Sequence, residues 1–349
     1  MAGVGGIAST ESRGWWFGRS EQLAPGLIVT GAIAAAAWWF GARVPLVGPA
    51  VFGLLAGLAL GSINAPSAAL QPGTDYTLKR LLRLAIVLFG ASLSFAEIVN
   101  IGGGTLLVIL AVVVLAISLT YVFGLWLRAP SRLVSLIGVG TAICGATAII
   151  TIGPIIEADE EETAFAVTTI FLFNMVAVIV YPLLGRLLAL SSVAFGTWAG
   201  TAIHDTSSVL AAAYTFSDAA GKVGTVVKLT RTLMLVPLAF LFGVIHTYRL
   251  GRSDRGAATR VNFVKIFPWF ILWFVLAAVL NTFGAFSASG VKFSAQVGKF
   301  LIVMVMVAVG LSANPRRMAR MGLRPFFIGL FASLLIAAIS IFLIRWVTD

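Results

Sequence analysis

Long apolar stretches, bounded by glycine, proline or charged residues, are the feature that most constrains this chain. Eleven of them fall near 26–42, 45–62, 80–98, 104–127, 133–156, 163–189, 192–215, 222–247, 263–284, 295–313 and 325–346. About 20 apolar residues are needed for a helix to cross the hydrocarbon core of a bilayer. The sequence therefore predicts an all-α polytopic membrane protein with about 11 transmembrane helices.

Composition excludes the other broad classes of protein. Hydrophobic residues make up 60% of the chain, charged residues 11%, and the mean hydropathy is +1.03. A water-soluble domain needs more polar residues to cover its surface, so a soluble enzyme, a disordered chain and a secreted disulfide scaffold are excluded. One cysteine and two histidines also give no basis for a disulfide, a zinc site or another metal site. We expect a cytoplasmic or interfacial segment over residues 1–24 and a single transmembrane domain over 25–349.

The basic residues predict an orientation. The net charge is +11 and the pI is about 10.5, and basic residues at helix ends orient membrane proteins, so nucleic acid is not the expected partner. If every stretch crosses, most Lys and Arg residues lie on the side of the N-terminus, and the acidic run 157–162 lies opposite. This bias predicts a multi-pass protein with a cytoplasmic N-terminus. A re-entrant segment would reverse everything after it, so the bias also argues against one.

Two internal similarities suggest repeats. Lys79-x-Leu81, Gly90-x-Ser92 and Gly102 recur 220 residues later as Lys299-x-Leu301, Gly310-x-Ser312 and Gly322, in a helix predicted to run the opposite way. Such inverted repeats are common in secondary transporters. The stretch Gly140–Cys144 also resembles Gly200–His204, at an offset of 60. The two offsets do not fit one duplication, so the second similarity is a better indication of shared chemistry than of ancestry.

Ionisable residues near the middle of two stretches mark a candidate site. His204 and Asp205 precede three hydroxyl residues, and Lys228 and Arg231 share one face of the next predicted helix. Charge at that depth is costly and is a functional hypothesis by default. In this interpretation Lys228 and Arg231 bind an anion, and Asp205 balances their positive charge when the site is empty. His204 couples transport to protons. The alternatives are an internal salt-bridge network, and a Lys228 side chain that snorkels to the surface.

A glycine-rich segment, Gly138–Thr147, interrupts another apolar stretch. Glycine lets the backbone unwind, and a half-helix N-terminus formed there would direct N–H groups at an anion. Close packing of small residues is the alternative. Together with Gly200–Ser208, the segment predicts two broken helices that face each other. The predicted substrate-binding residues are Thr141, Cys144, Gly145, Thr147, His204, Asp205, Thr206, Ser207, Lys228 and Arg231.

Four segments resemble the YeiH-type sulfate exporter family of bacteria and archaea: Leu81–Gly90, Ile143–Ala148, Gly200–Asp205 and Lys228–Arg231. The similarity runs from about residue 26 to the C-terminus. It implies a secondary transporter, integral to the plasma membrane, for sulfate-like or organosulfonate anions. Asp205 fits the acidic position after the histidine, whereas Thr206, Ser207 and Ser208 are more hydroxyl-rich than the family pattern.

Three functions remain open from the sequence. The first is a secondary anion transporter, without a cofactor, coupled to H⁺ or Na⁺ and working as a monomer or a homodimer. The second is an intramembrane hydrolase or acyltransferase with Cys144 as nucleophile beside His204 and Asp205. The third is an anion channel. Nucleotide-binding motifs are absent from the sequence, so ATP-driven transport by this chain is not expected.

Overall fold

The computed structural model describes residues 11–44, 47–63, 68–249, 266–313, 318 and 322–348. Most of these residues are helical, and no strand occurs among them. In chain order the helices are α1 (Glu11–Gly41), α2 (Gly48–Ile63), α3 (Gln71–Tyr76), α4 (Leu82–Gly90), α5 (Phe95–Trp126), α6 (Ser131–Ala142), α7 (Ala146–Ile152), α8 (Glu160–Leu187), α9 (Ser192–Ala202), α10 (Thr206–Phe216), α11 (Asp218–Leu233), α12 (Leu235–Arg249), α13 (Phe270–Thr282), α14 (Ala288–Ser312) and α15 (Leu323–Thr348). A π-helical turn, Thr77–Leu81, joins α3 to α4.

The outer surface of the helices is apolar. Large apolar side chains such as Leu107 and Phe342 are 79% and 70% exposed. Exposure of so much apolar surface is unfavourable in water and is expected where lipid covers the helices. Among the described residues, six helical segments are long and apolar enough to span a membrane: Gln22–Gly41, Phe95–Trp126, Glu160–Leu187, Asp218–His246, Ala288–Ser312 and Leu323–Arg345. The prediction of an all-α membrane protein is confirmed, whereas the count of eleven crossings is not.

Helices α6 and α7 form a hairpin, which we call hairpin 1 (Ser131–Ile156). Its two arms stay in contact along their length: a Cβ added to Gly140 would meet Ile149, and one added to Gly153 would meet Leu136. At the open end Arg132 lies 4.0 Å from the Glu157 carboxylate. The chain therefore enters and leaves hairpin 1 on the same side, with its tip at Ile143–Gly145.

Helices α9 and α10 form hairpin 2 (Ser192–Phe216). The Ser217 hydroxyl donates a 2.9 Å hydrogen bond to Ser192, and the rings of Phe195 and Phe216 stack with centroids 4.0 Å apart. Both ends of this hairpin consequently lie together as well. Its tip is Ile203–Asp205, between the last residue of α9 and the first residue of α10.

The two hairpins enter from opposite ends of α8. Hairpin 1 leads into the first residue of α8, whereas Arg186, near its last residue, donates a hydrogen bond to the Thr215 carbonyl at the open end of hairpin 2. A helix of 28 residues is about 42 Å long, enough to separate the two open ends by a bilayer. The hairpins are therefore inverted relative to each other, and their tips point toward the same depth.

This topology corrects the prediction that 133–156 and 192–215 each cross the membrane. Between the hairpins the chain is reversed, so the run 157–162 lies on the same side as Arg132 and not opposite it. The second hairpin reverses the chain again. The distribution of basic residues beyond it is unchanged, which is why the charge bias argued wrongly against a re-entrant segment.

The similarity at an offset of 60 falls on equivalent places in the two hairpins. Gly140–Cys144 runs from the end of α6 into the first tip, and Gly200–His204 runs from the end of α9 into the second. The two similar segments thus occupy the same position in two hairpins of opposite orientation, which their sequences alone did not indicate. For the offset of 220, Gly90 and Gly310 both lie close to the backbone of a neighbouring helix, and their common ancestry stays a prediction.

The predicted boundary at residues 24 and 25 falls inside α1, which is continuous from Glu11 to Gly41 with Pro25 within it. Residues 1–10 lie outside the described part of the chain. The interfacial location of the N-terminal segment stays a prediction.

The hairpin topology can be tested by labelling single cysteines in a Cys144→Ser background. Ser131→Cys and Glu160→Cys flank hairpin 1, so a membrane-impermeant maleimide should label both from the same side. Leu187→Cys and Ala219→Cys should react only from the other side, because α8 separates the two pairs. Labelling of positions 131 and 160 from different sides would show that 133–156 crosses the membrane.

Candidate functional site

The tips of the two hairpins meet at one lysine of α11. The Lys228 ammonium donates to the carbonyl oxygens of Ile143 at 2.8 Å and Ile203 at 2.9 Å, and also to that of His204. The side chain is 0% exposed. An ammonium group has three protons, and each has an acceptor here.

Arg231, one turn further along α11, makes a second set of bonds to the same two hairpins, at or next to their tips. Its Nε lies 2.5 Å from the Ala142 carbonyl oxygen, and Nη2 donates to Thr141. Its Nη1 donates to the carbonyls of Thr201 at 2.7 Å and Ile203 at 3.3 Å. Arg231 is also 0% exposed, so one guanidinium links the ends of α6 and α9 in the interior.

These contacts follow from the breaks in the helices. The last carbonyls of an α-helix have no partner within the helix and carry the negative end of its dipole. In hydrocarbon each such group needs another donor. Helices α6 and α9 both end at the centre of the molecule, and Lys228 and Arg231 supply donors and positive charge to both ends.

The predicted direct contact between Lys228, Arg231 and an anion is not what this conformation shows. Their donors are directed at the backbone carbonyls of the broken helix ends. Neither sequence-based alternative describes the pair: the described contacts include no salt bridge to Asp205, and Lys228 does not reach the surface. Their part in substrate binding stays a prediction.

Asp205 caps the beginning of α10. One carboxylate oxygen accepts from the backbone N–H of Ser207 at 2.9 Å, from that of Ser208 at 3.3 Å and from the Ser207 hydroxyl. Such a cap stabilises a helix by about 1 kcal/mol. The residue is half-buried, so part of it faces accessible space.

Asn174 on α8 fixes the second tip from the other side. Its Oδ1 accepts from the backbone N–H of His204 at 3.2 Å and of Asp205 at 3.1 Å. The same side chain lies beside Gly145 of the first tip. A mid-helix asparagine in an apolar run was the sequence signal for this contact.

His204 is buried and has a partner at each ring nitrogen. Nδ1 lies 3.2 Å from the Thr141 carbonyl oxygen, and Nε2 lies 2.8 Å from the Ser333 hydroxyl on α15. A carbonyl only accepts, so Nδ1 carries the proton, and Nε2 is free to accept from Ser333. Nothing in the sequence distinguishes Ser333 from the other hydroxyl residues of the apolar helices.

Gly145 makes the turn at the first tip. Its φ is +67° and its ψ is −129°, a conformation open to glycine and strained for other residues. It precedes α7 without a side-chain cap. Ala146 is half-buried and Thr147 is exposed, so this edge of the first tip is accessible. Most other residues where the two tips meet are buried.

The remaining predicted residues surround the tips. Thr141 is buried and its hydroxyl donates to the Ile137 carbonyl, and Cys144 is 4% exposed. Thr206 and Ser207 are nearly buried in the first turn of α10. The structure thus brings all ten predicted residues to one place. The described hydrogen bonds do not connect Cys144 with His204, and Asp205 bonds to α10 instead of the imidazole.

A cavity of about 320 Å³ lies at the open end of hairpin 1. Its polar lining comes from Ser118, Tyr121, Ser131, Arg132, Ser135 and His246. The Glu157 carboxylate lies 3.7 Å from His246 Nε2. A second cavity of about 320 Å³ lies at the open end of hairpin 2, between Ser191, Trp198 and Arg345. Each hairpin therefore has a cavity on the side from which it enters.

Comparison with known proteins places the chain in a family. The family described as Conserved hypothetical protein 698 matches residues 25–329. The chain belongs to this family. The YeiH-type resemblance is thereby confirmed, since the relatives of this family include the UPF0324 membrane proteins.

Three bacterial UPF0324 membrane proteins illustrate the similarity. The protein of Clostridium tetani is 35% identical over 331 residues, which cover 92% of this chain and 96% of the relative. That of Fusobacterium nucleatum is 33% identical and covers 90% and 96%, and that of Streptococcus pyogenes serotype M18 is 36% identical and covers 91% and 95%. The family membership therefore extends over nearly the whole chain and supports a multi-pass membrane protein.

Arg231→Ala should destabilise the folded protein. It removes donors from carbonyls in both tips, and a buried polar group left without a partner costs about 1–3 kcal/mol. Thermal unfolding of the purified protein in detergent measures the effect, with Arg80→Ala at an exposed position as the matched control. Equal melting temperatures for the two variants would contradict the role of Arg231 in joining the tips.

Gly145→Ala should cost about 1–3 kcal/mol because the positive φ strains any side chain. Gly103→Ala is the matched control, since a methyl group on that helical glycine of α5 meets nothing within 4 Å. Thermal unfolding of the two variants, measured under the same conditions, should show a loss of stability only for Gly145→Ala. A Gly145→Ala protein as stable as Gly103→Ala would argue against the described turn.

Proposed function

We propose that this membrane protein is a secondary transporter of small anions of the sulfate or organosulfonate class. The observation that carries the proposal is the pair of hairpins that enter from opposite sides and meet at their tips. Inverted repeats with broken helices at membrane depth are the architecture of many secondary transporters. A binding place between the tips can be opened to either side by movement of one hairpin against the other.

The net charge where the two hairpin tips meet favours an anion. Lys228 and Arg231 contribute two positive charges, and Asp205 is the one acidic residue at the tips. Interactions between charges are stronger in a low-dielectric interior than in water. In this proposal the buried pair acts mainly through its electrostatic field. The substrate contacts the accessible edge at Thr147, and it contacts the buried residues Gly145, Thr206 and Ser207 after tip movement.

The two cavities supply the approach paths. Each lies at the open end of one hairpin and includes an arginine, Arg132 on one side and Arg345 on the other. Guanidinium groups suit the oxygens of sulfate and sulfonate. We assign the cavity beside Arg132 to the cytoplasmic side, on the expectation that the basic side faces inward in the plasma membrane.

The two other functions have less support. A cysteine-dependent hydrolase needs Cys144 in contact with a base, and among the described residues both nitrogens of His204 have other neighbours. We therefore propose no enzymatic activity. An anion channel would need a continuous path, whereas the tips of the two hairpins are tied together through Lys228 and Arg231. Single-channel steps in a planar bilayer would favour that alternative.

Proteoliposomes provide the test of transport. Liposomes that contain the purified protein should exchange labelled sulfate or taurine faster than protein-free liposomes, and Thr147→Trp should reduce the rate to near background by filling the accessible edge of the tip. Leu107→Trp, at a 79% exposed position on α5, controls for a bulky side chain in the membrane. Exchange equal to background for sulfate, sulfite, thiosulfate and taurine, or unaffected by Thr147→Trp, would contradict the proposal.

A further inference from the structure

The surroundings of the Lys228 ammonium resemble the binding site of an alkali metal ion. Three backbone carbonyl oxygens, from Ile143, Ile203 and His204, surround one nitrogen, with distances of 2.8 and 2.9 Å to the first two. Unwound backbone carbonyls and the C-terminal ends of half-helices are the ligands with which membrane transporters hold Na⁺, and rings of carbonyls replace the hydration shell of K⁺ in channels. The ligands thus have the chemistry of a cation site formed from both tips.

The occupant has the charge of such an ion but is covalently attached. An ammonium group and an alkali metal ion both carry one positive charge, so the charge balance with Arg231 and Asp205 is the same for either. The side chain reaches the carbonyls from α11 and is 0% exposed. We propose that Lys228 is a built-in substitute for a monovalent metal ion that would otherwise be needed to join the two tips.

Two consequences follow. The tips stay joined without Na⁺ or K⁺ from solution, so the unaltered protein needs neither ion at this place. Removal of the lysine side chain takes one donor from each of the three carbonyls, of which Ile203 keeps a second donor from Arg231 at 3.3 Å. It also leaves room for an ion, so the variant acquires a cation requirement. The consequence for ion coupling rests on the proposed transport function, whereas cation binding by the variant does not.

A purely structural role for Lys228 predicts a different result. If the ammonium only supplies hydrogen bonds, Lys228→Ala loses stability and no metal ion restores it. If the carbonyls form a cation site, an ion that binds the folded state and not the unfolded chain raises the melting temperature with its concentration. Both roles predict a loss of stability in Lys228→Ala. Only the cation-site role predicts that an alkali metal ion restores the melting temperature.

The experiment measures thermal unfolding of the full-length Lys228→Ala protein in detergent. Choline chloride is replaced stepwise by NaCl, KCl or LiCl at constant ionic strength. We expect a lowered melting temperature in choline and a saturable recovery with at least one alkali ion. The unaltered protein and Lys222→Ala, which removes a partly exposed lysine from the same helix, should not respond.

Lys228→Ser serves as a second variant, because its hydroxyl adds an oxygen ligand in place of the amine. Failure of both variants to recover with Na⁺, K⁺ or Li⁺ would overturn the proposal, and so would failure of both to fold in any of these ions. A response of Lys222→Ala equal to that of Lys228→Ala would do the same. Failure of anion transport in proteoliposomes would leave this result unaffected, since the readout is unfolding.

Discussion

The structure depends on how the unpaired carbonyls of broken helices are satisfied away from water. Helices α6 and α9 end where the bilayer offers no hydrogen-bond donor, and each end leaves carbonyls that an uninterrupted helix would have paired. Lys228 and Arg231 supply those donors from a single neighbouring helix. Their positive charge is balanced in part by the negative helix ends, which allows two cations to be buried so close together. Asp205 and Asn174 do the complementary task for the N–H groups at the start of α10 and in the second tip.

The inverted entry of the hairpins places one open end on each side of this centre. One cavity lies at the open end of each hairpin, and the tips separate the two. Among the tip residues, Asp205 is half-buried and the neighbouring Thr147 is exposed. A polar centre between two closed arms is a suitable place for a solute that is bound in turn from either side. The membership in a family of membrane proteins agrees with this arrangement without identifying the solute.

The sequence was sufficient for the class of fold and for the location of the candidate site. Ionisable residues are costly in hydrocarbon, so a group of them inside apolar stretches predicts a functional site. The four residues of this group lie where the hairpin tips meet: His204, Asp205, Lys228 and Arg231. Glycine in an apolar stretch likewise predicted the breaks at Gly145 and near His204. Hairpins could not be distinguished from crossings, because each is about 24 apolar residues long and differs only in whether the chain turns back. The partners of Lys228 and Arg231 were also beyond the sequence, since carbonyls are present at every residue and only the path of the backbone determines which are unpaired.

Helix α11 connects the two hairpins mechanically. Lys228 and Arg231 are three residues apart on one rigid helix, and both hold carbonyls from each of the two tips. A small rotation or sliding of that helix would strain all of these bonds simultaneously. Movement of one hairpin relative to the other therefore requires either that α11 moves with it or that some of these bonds break, so the displacements of the two hairpins are coupled through α11.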